Sequence, residues 1–160
     1  MIVSHFKAVD SNTQLWDSAQ QKEVLGNNIT WENTANGQAI GFDGTNSHLD
    51  FSKNPLFYNP NFVIWADIVP GNKTGMQHVY GHIGRDSEDF WCNAQLTWDA
   101  SNGTLSFRVG AEGVYEIVQA GFAPQQRYFI IGRCNNQNLD LWINGQQVGS
   151  LSMPKPMRPG

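Results

Sequence analysis

Charge is scarce in this 160-residue chain: only 15% of its residues are Asp, Glu, Lys or Arg. Basic charge is scarcer still. Ten Lys and Arg stand against 14 Asp and Glu, for a formal net charge of −4 and a pI of about 5.4. A nucleic-acid binder, or a protein that seeks an anionic membrane, needs a basic patch, and this composition does not supply one. No run of about 18 apolar residues occurs, so no helical span or membrane insertion is expected. Cysteine is nearly absent, with only Cys92 and Cys134. That is too few for a disulfide scaffold, so two unbridged thiols are expected. The first residues, Met1-Ile2-Val3-Ser4-His5, show no charged start followed by an apolar stretch, so no signal peptide is read.

What the chain does have is amides, aromatics and turn residues. There are 16 Asn and 12 Gln, which form the polar surface in place of charge. Hydrophobic residues make up 40% and aromatics 12%, enough for a packed core in one domain. Sixteen Gly and seven Pro favour strands and turns over long helices. Short apolar runs alternate with turns at roughly ten-residue spacing, the pattern of a sandwich. The clearest strand is Phe62 to Val69, stopped by Pro70-Gly71-Asn72. Gln95–Trp98 and Thr104–Val109 flank a hairpin with Asn102-Gly103 at its turn. Tyr128–Gly132 and Leu139–Ile143 flank a second, through Asn135-Asn136, and Asn144-Gly145 makes another turn before Val148. The one helix candidate is Ser18 to Leu25. Residues 1–152 read as one β-sandwich domain. Residues 153–160, with three prolines, read as an extended tail.

Alternate side chains of a strand point to opposite faces, so parity assigns a core side. Phe62, Ile64, Ala66 and Ile68 oppose Val63, Trp65, Asp67 and Val69. Phe90, Cys92, Ala94, Leu96 and Trp98 oppose Trp91, Asn93, Gln95 and Thr97. Leu105, Phe107 and Val109 oppose Ser106 and Arg108, and Leu139, Leu141 and Ile143 oppose Asp140 and Trp142. Each strand has one apolar face and one that mixes polar residues with tryptophan.

Three segments resemble a known family. Ala39-Ile40-Gly41-Phe42-Asp43-Gly44 followed by Leu49-Asp50-Phe51 is similar to a strand pair of the concanavalin A-like lectin/glucanase superfamily, laminin-G-like branch. Phe62 to Pro70 resembles that branch's long core strand, and Leu139 to Gly149 its Asn-Gly hairpin. The resemblance implies an all-β, two-sheet antiparallel jelly roll. Relatives continue past that hairpin with closing strands, whereas here the chain leaves at Ser150 for its tail. The strand near Val3–Val9 is therefore expected to lack a neighbour, and an open edge invites another chain.

Glucanases of this fold carry paired carboxylates on one strand. The nearest pattern here, Asp86-Ser87-Glu88-Asp89, reads as a solvated loop, so no catalysis is expected. His78 and His82, if on a strand, would share a face about 13 Å apart, too far for one zinc ion. His5 and His48 stand alone. Some family members hold one calcium ion. No cofactor is required here, but Asp43 is the calcium candidate, with Asp17 and Asp140 behind it; the other reading of Asp43 is a turn cap. The binding candidates are Trp65, Trp91 and Trp142, with Asp67, Asn93, Gln95 and Arg108 on the same expected face. Flat aromatics stack on sugar C–H faces while amides and charges bond the hydroxyls. The same face would equally suit a protein scaffold.

The sequence thus points to a non-enzymatic recognition or attachment module. Its first expectation is a surface or decoration protein of a virion or other assembly, homo-oligomeric or bound to a larger particle, with its tail on a neighbouring chain. The alternative is an extracellular, lectin-like glycan binder with a Trp-rich sheet face.

Overall fold

The computed structural model describes residues 6–8, 14–17, 22–35, 37–50, 61–85, 91–110 and 114–156, with backbone alone at 6–8, 14–17, 22–23, 37, 50, 82–85 and 91–93. Every regular element among them is a strand. No described helix is long and apolar enough to cross a membrane. The chain divides into two compact units, Met1–Leu56 and Phe57–Gly160.

The first unit holds β1 (Phe6–Ala8), β2 (Gln14–Asp17), β3 (Lys22–Asn27), β4 (Ile29–Thr34), β5 (Gly37–Phe42) and β6 (His48–Asp50). One sheet runs β1-β2-β3-β6, and β4 and β5 form a two-stranded ribbon. Two expectations are corrected here. The N-terminal strand has a neighbour, because β1 pairs with β2 from Phe6↔Asp17 to Ala8↔Leu15. The helix expected over Ser18–Leu25 is a strand from Lys22 onward, with residues 18–21 outside the described set. Its eight residues carry too few apolar side chains for a helical stripe, whereas β2 and β6 satisfy its backbone on both sides. Val24 is buried and Leu25 exposed, the alternation of a strand.

The second unit is a sandwich of two antiparallel sheets. Its strands are β7 (Asn61–Ile68), β8 (Met76–Arg85), β9 (Trp91–Asp99), β10 (Thr104–Gly110), β11 (Val114–Ala120), β12 (Tyr128–Asn135), β13 (Asn138–Ile143) and β14 (Gln146–Ser152). One sheet is ordered β11-β10-β9-β8 and the other β14-β13-β12-β7. The expected hairpins are present: Asp99 pairs with Thr104 across a turn with Gly103 at φ 60°, and Asn135 with Asn138 across a turn with Asn136 at φ 58°. Asn144 and Gly145 take φ 51° and 84°, the pair of positive angles a tight two-residue hairpin needs.

Core parity holds on the strands that matter most. Ile64, Ala94, Leu96, Trp98, Leu105, Phe107, Val109, Ile130, Leu139, Leu141 and Ile143 are all buried. The sheets interlock through rings: Phe62 meets Phe107 edge-on at 6.3 Å, and Phe122 meets Tyr128 at 5.0 Å. The Phe107 ring sits where a side chain on Gly132 would stand, its nearest carbon 2.9 Å from that position. The last strand runs to Ser152 rather than leaving at Ser150, because it pairs with β13 along its length through a bulge at Leu141/Trp142. The root of the tail then packs on its own unit. Met153 is 3% exposed in the core, and its N–H donates to the Gln137 carbonyl at 2.6 Å.

Cys134 faces this core as a free thiol, and burial pushes its pKa up to about 11. Cys92 lies outside the described side chains. In a Cys92→Ser background, Cys134 should react with a thiol reagent only on the timescale of unfolding. Prompt reaction in native buffer would show that this end of the core is open.

Candidate functional site

The four strands of the β14-β13-β12-β7 sheet turn one face to the core, so their alternate residues point outward. Register sets these in rows. Trp65 of β7 is opposite Ile131 of β12, which is opposite Trp142 of β13, which is opposite Gln147 of β14. The next row is Val63, Arg133, Asp140 and Ser150, and on the other side Asp67 stands opposite Phe129. Two tryptophans thus flank Ile131, roughly 9–10 Å apart at two inter-strand spacings. Trp65 is 51% exposed, and its ring lies 6.2 Å from that of Phe129, itself exposed. Large exposed apolar groups gathered on one face mark an interaction surface.

Two ion pairs border this row. Arg127 donates from Nε to Asp67 Oδ1 at 2.8 Å and from Nη2 to Oδ2, a two-point fork that holds the Asp67 carboxyl below its usual range. Arg133 donates to Asp140 Oδ2 from Nε at 3.0 Å and from Nη2 at 2.7 Å. The other oxygen of Asp140 accepts from Gln147 Nε2 at 3.1 Å and Ser150 Oγ at 2.8 Å. Asp140 is therefore a buried, fully bonded carboxylate, which accounts for it without the calcium role considered for it. The Arg133 guanidinium lies 5.0 Å from the centre of the Trp142 ring.

The β13–β14 hairpin tip is pinned beside this pair. The Phe129 N–H donates to Asn144 Oδ1 at 2.9 Å, and the Asn144 N–H donates to the Phe129 carbonyl at 2.8 Å. Between tip and sheet lies a shallow hollow of about 270 Å³ lined by Ile131, Arg133, Trp142 and Gly145. An aromatic wall, an apolar floor and an exposed guanidinium can grip a ring with one apolar face and a polar rim.

The seven expected binding residues do not share one face. Trp65, Asp67 and Trp142 come together as described. Gln95 and Arg108 belong to the other sheet, opposite one another across β9 and β10. Trp91 and Asn93 are on β9 as well, and their side chains lie outside the described set. Gln95 and Thr97 are buried on the side expected to be open, as is Ser106, whose hydroxyl lies 2.7 Å from that of Thr97. Arg108 Nη2 donates to Glu116 Oε2 at 3.0 Å. Sequence reasoning missed Phe129, Ile131 and Arg133. The alternation through Tyr128-Phe129-Ile130-Ile131-Gly132-Arg133 could have found them, had the outward face of this strand been read beside that of Trp65.

Asp43 closes a turn. Its Oδ1 accepts from the N–H groups of Thr45 at 2.7 Å, Asn46 at 2.9 Å and Ser47 at 3.0 Å, and these bonds hold its carboxyl far below the ordinary range. Ser47 Oγ in turn donates to the Asn28 carbonyl at 2.7 Å. The backbone of Asp17 ends β2, and its side chain lies outside the described set. Among the described residues no group of three or more His, Cys, Asp or Glu could hold a metal ion. His48 is fixed between the Asn46 carbonyl, which accepts from Nδ1 at 3.0 Å, and Asn27 Nδ2, which donates to Nε2 at 3.1 Å. The single face expected for His78 and His82 is corrected: a bulge between His78 and Tyr80 breaks parity, so position 78 stands opposite Thr97 and position 82 opposite Ala94. His5 and the acidic run Asp86–Asp89 lie outside the described residues.

No family model and no curated protein matches the sequence. Solved structures do resemble the fold. The CBM40 carbohydrate-binding module of the Ruminococcus gnavus IT-sialidase, bound to α2,3-sialyllactose, superposes with a TM-score of 0.51 at 12% identity, over 61% of this chain and 56% of that one. The chain therefore matches little more than half that module's length. A Bacillus licheniformis β-glucanase gives 0.51 at 11% identity, over 98% of this chain and 74% of that one. The carbohydrate-binding module CBM66 from Bacillus subtilis gives 0.48 at 14% identity, over 84% and 81%. The fold is an all-β jelly-roll sandwich.

Proposed function

We propose that this protein is a non-catalytic glycan-binding module of the laminin-G-like branch, and that it acts outside the cell or on a surface. The observation that carries the reading is the outward row Trp65–Ile131–Trp142, bordered by two arginine–carboxylate pairs. Rings spaced by two strands suit alternate sugars of an extended oligosaccharide, and the bordering charges suit its hydroxyls. A structural neighbour named as a carbohydrate-binding module shares the sandwich architecture. The decoration-protein expectation weakens for a specific reason. One of its supports was an extended tail from residue 153 onward, and the first residue of that tail, Met153, is buried in its own unit.

A glycan array probed with the full chain tests the reading, alongside a Trp65→Ala/Trp142→Ala double variant. Retention of a defined glycan class by the wild type and its loss in the folded double variant is the expected result. If no glycan is retained while light scattering shows an oligomer that the double variant dissolves, the face is a protein interface instead.

A further inference from the structure

We infer that Arg133 makes the hollow beside Trp142 a reader of carboxylates, so that the ligand is a glycan carrying an acidic sugar. This inference rests on the glycan reading above and names the ligand class for that same site.

The argument starts from how Arg133 meets its counter-ion. Nε and Nη2 both donate to one oxygen, Asp140 Oδ2. Arg carries five N–H donors in a rigid plane, and among the described residues Nη1 makes no hydrogen bond. The second oxygen of Asp140 is occupied by Gln147 and Ser150, so the carboxylate has nothing left to offer a ligand. Exposure separates the two charges. The Arg133 side chain is 45% exposed and that of Asp140 only 6%. A solute approaching the hollow therefore meets the cation, with the anion beneath the surface.

The other arginine on this face shows the contrast. Arg127 matches its fork to both oxygens of Asp67, and both partners stand open to solvent, at 51% and 38%. A ligand there meets a neutralised pair. Nη1 makes no hydrogen bond in either arginine among the described residues, but only Arg133 has its carboxylate buried beneath it and its guanidinium over an aromatic ring. Its guanidinium carbon lies 5.0 Å from the centre of the Trp142 ring, at the side of a shallow hollow open to solvent. A flat guanidinium edge suits a flat carboxylate, while Trp142 and Ile131 suit the apolar side of the ring that bears it.

The carboxylate can come from a uronic acid within a chain or from an ulosonic acid at its end. The full chain is titrated at fixed ionic strength with an oligouronate and its methyl ester, and with an oligosaccharide ending in an ulosonic acid and its methyl ester. At least one acid should bind roughly tenfold or more tightly than its ester, and which one does so names the source. Arg133→Gln combined with Asp140→Asn removes the pair without stranding a buried charge, and should bring the acid-to-ester ratio to about one. Arg133→Lys keeps the charge but not the fork, and should fall between. Equal binding of acid and ester overturns the inference and leaves the glycan reading standing. So does equal binding of a sulfated oligosaccharide without carboxyls, which would reduce the preference to charge alone. Acid preference that survives in the double variant overturns the role of Arg133. Failure of all four ligands, with none retained on the array, overturns both readings.

Discussion

Replacing Leu141 by alanine should lower the free energy of unfolding by about 2–5 kcal/mol, towards the upper part of that range. Leu141 is fully buried, and its register neighbours are Gly132 on β12 and Gly149 on β14. The opposite sheet fills the space above both glycines, Phe107 over Gly132 and Ile117 over Gly149. Leu141 thus stands as the one side chain between two gaps that rings and branches from across the sandwich occupy. Truncation leaves a cavity that neither glycine can fill, and the cost of such a cavity depends on how little the site can collapse. The reverse change makes a matched control. Gly132→Ala would press a methyl group against the Phe107 ring and should cost about 1–3 kcal/mol by overpacking. Urea unfolding at constant slope measures both. A shift for Leu141→Ala equivalent to under about 0.5 kcal/mol would mean that β13 does not carry the core.

The strands around Leu141 were also the most legible part of the sequence. Alternation in β7, β10 and β13 gave the inward faces correctly, because one side of each is apolar and the period of two is strict. Asn-Gly and Asn-Asn turns marked the hairpins, because their backbone angles demand those residues. Two bulges were not legible. Each inserts a residue that no side-chain pattern announces, and the one in β8 moved position 82 off the face of His78. The helix expected at Ser18–Leu25 failed because local composition says nothing of the partner strands that claim it.

The candidate site was half legible, and for one physical reason. Parity separates inside from outside on each strand, but a sandwich has two outsides. Trp65 and Gln95 are both off the core face, and parity cannot say that they belong to different sheets. That information lies in the long-range pairings: β7 with β12, and β9 with β8 and β10. Sequence-adjacent β9 and β10 lie far along the chain from the strand that completes the Trp65 row.

That row predicts a dependence on ligand length. Trp65 and Trp142 are separated by β12, roughly 9–10 Å at two strand spacings, so a single sugar can cover one ring only. Affinity should therefore rise little from one sugar to two, then steeply once an oligosaccharide is long enough to place alternate rings on both tryptophans. Trp65 is the more open of the two, with Phe129 beside it and no cation on its face among the described contacts. Trp142 already carries Arg133 on its ring and borders the hollow. The two substitutions should then separate. Trp142→Ala should weaken ligands of every length, because it dismantles the hollow. Trp65→Ala should weaken the long ligand by a hot-spot amount, roughly 30-fold or more, and so flatten the length series. Calorimetric titration of a graded oligosaccharide series against the three proteins reads this directly. An affinity independent of length in the wild type, or a Trp65→Ala loss as large for one sugar as for four, would show that no ligand spans the row. The two tryptophans would then be separate surfaces that happen to share a sheet.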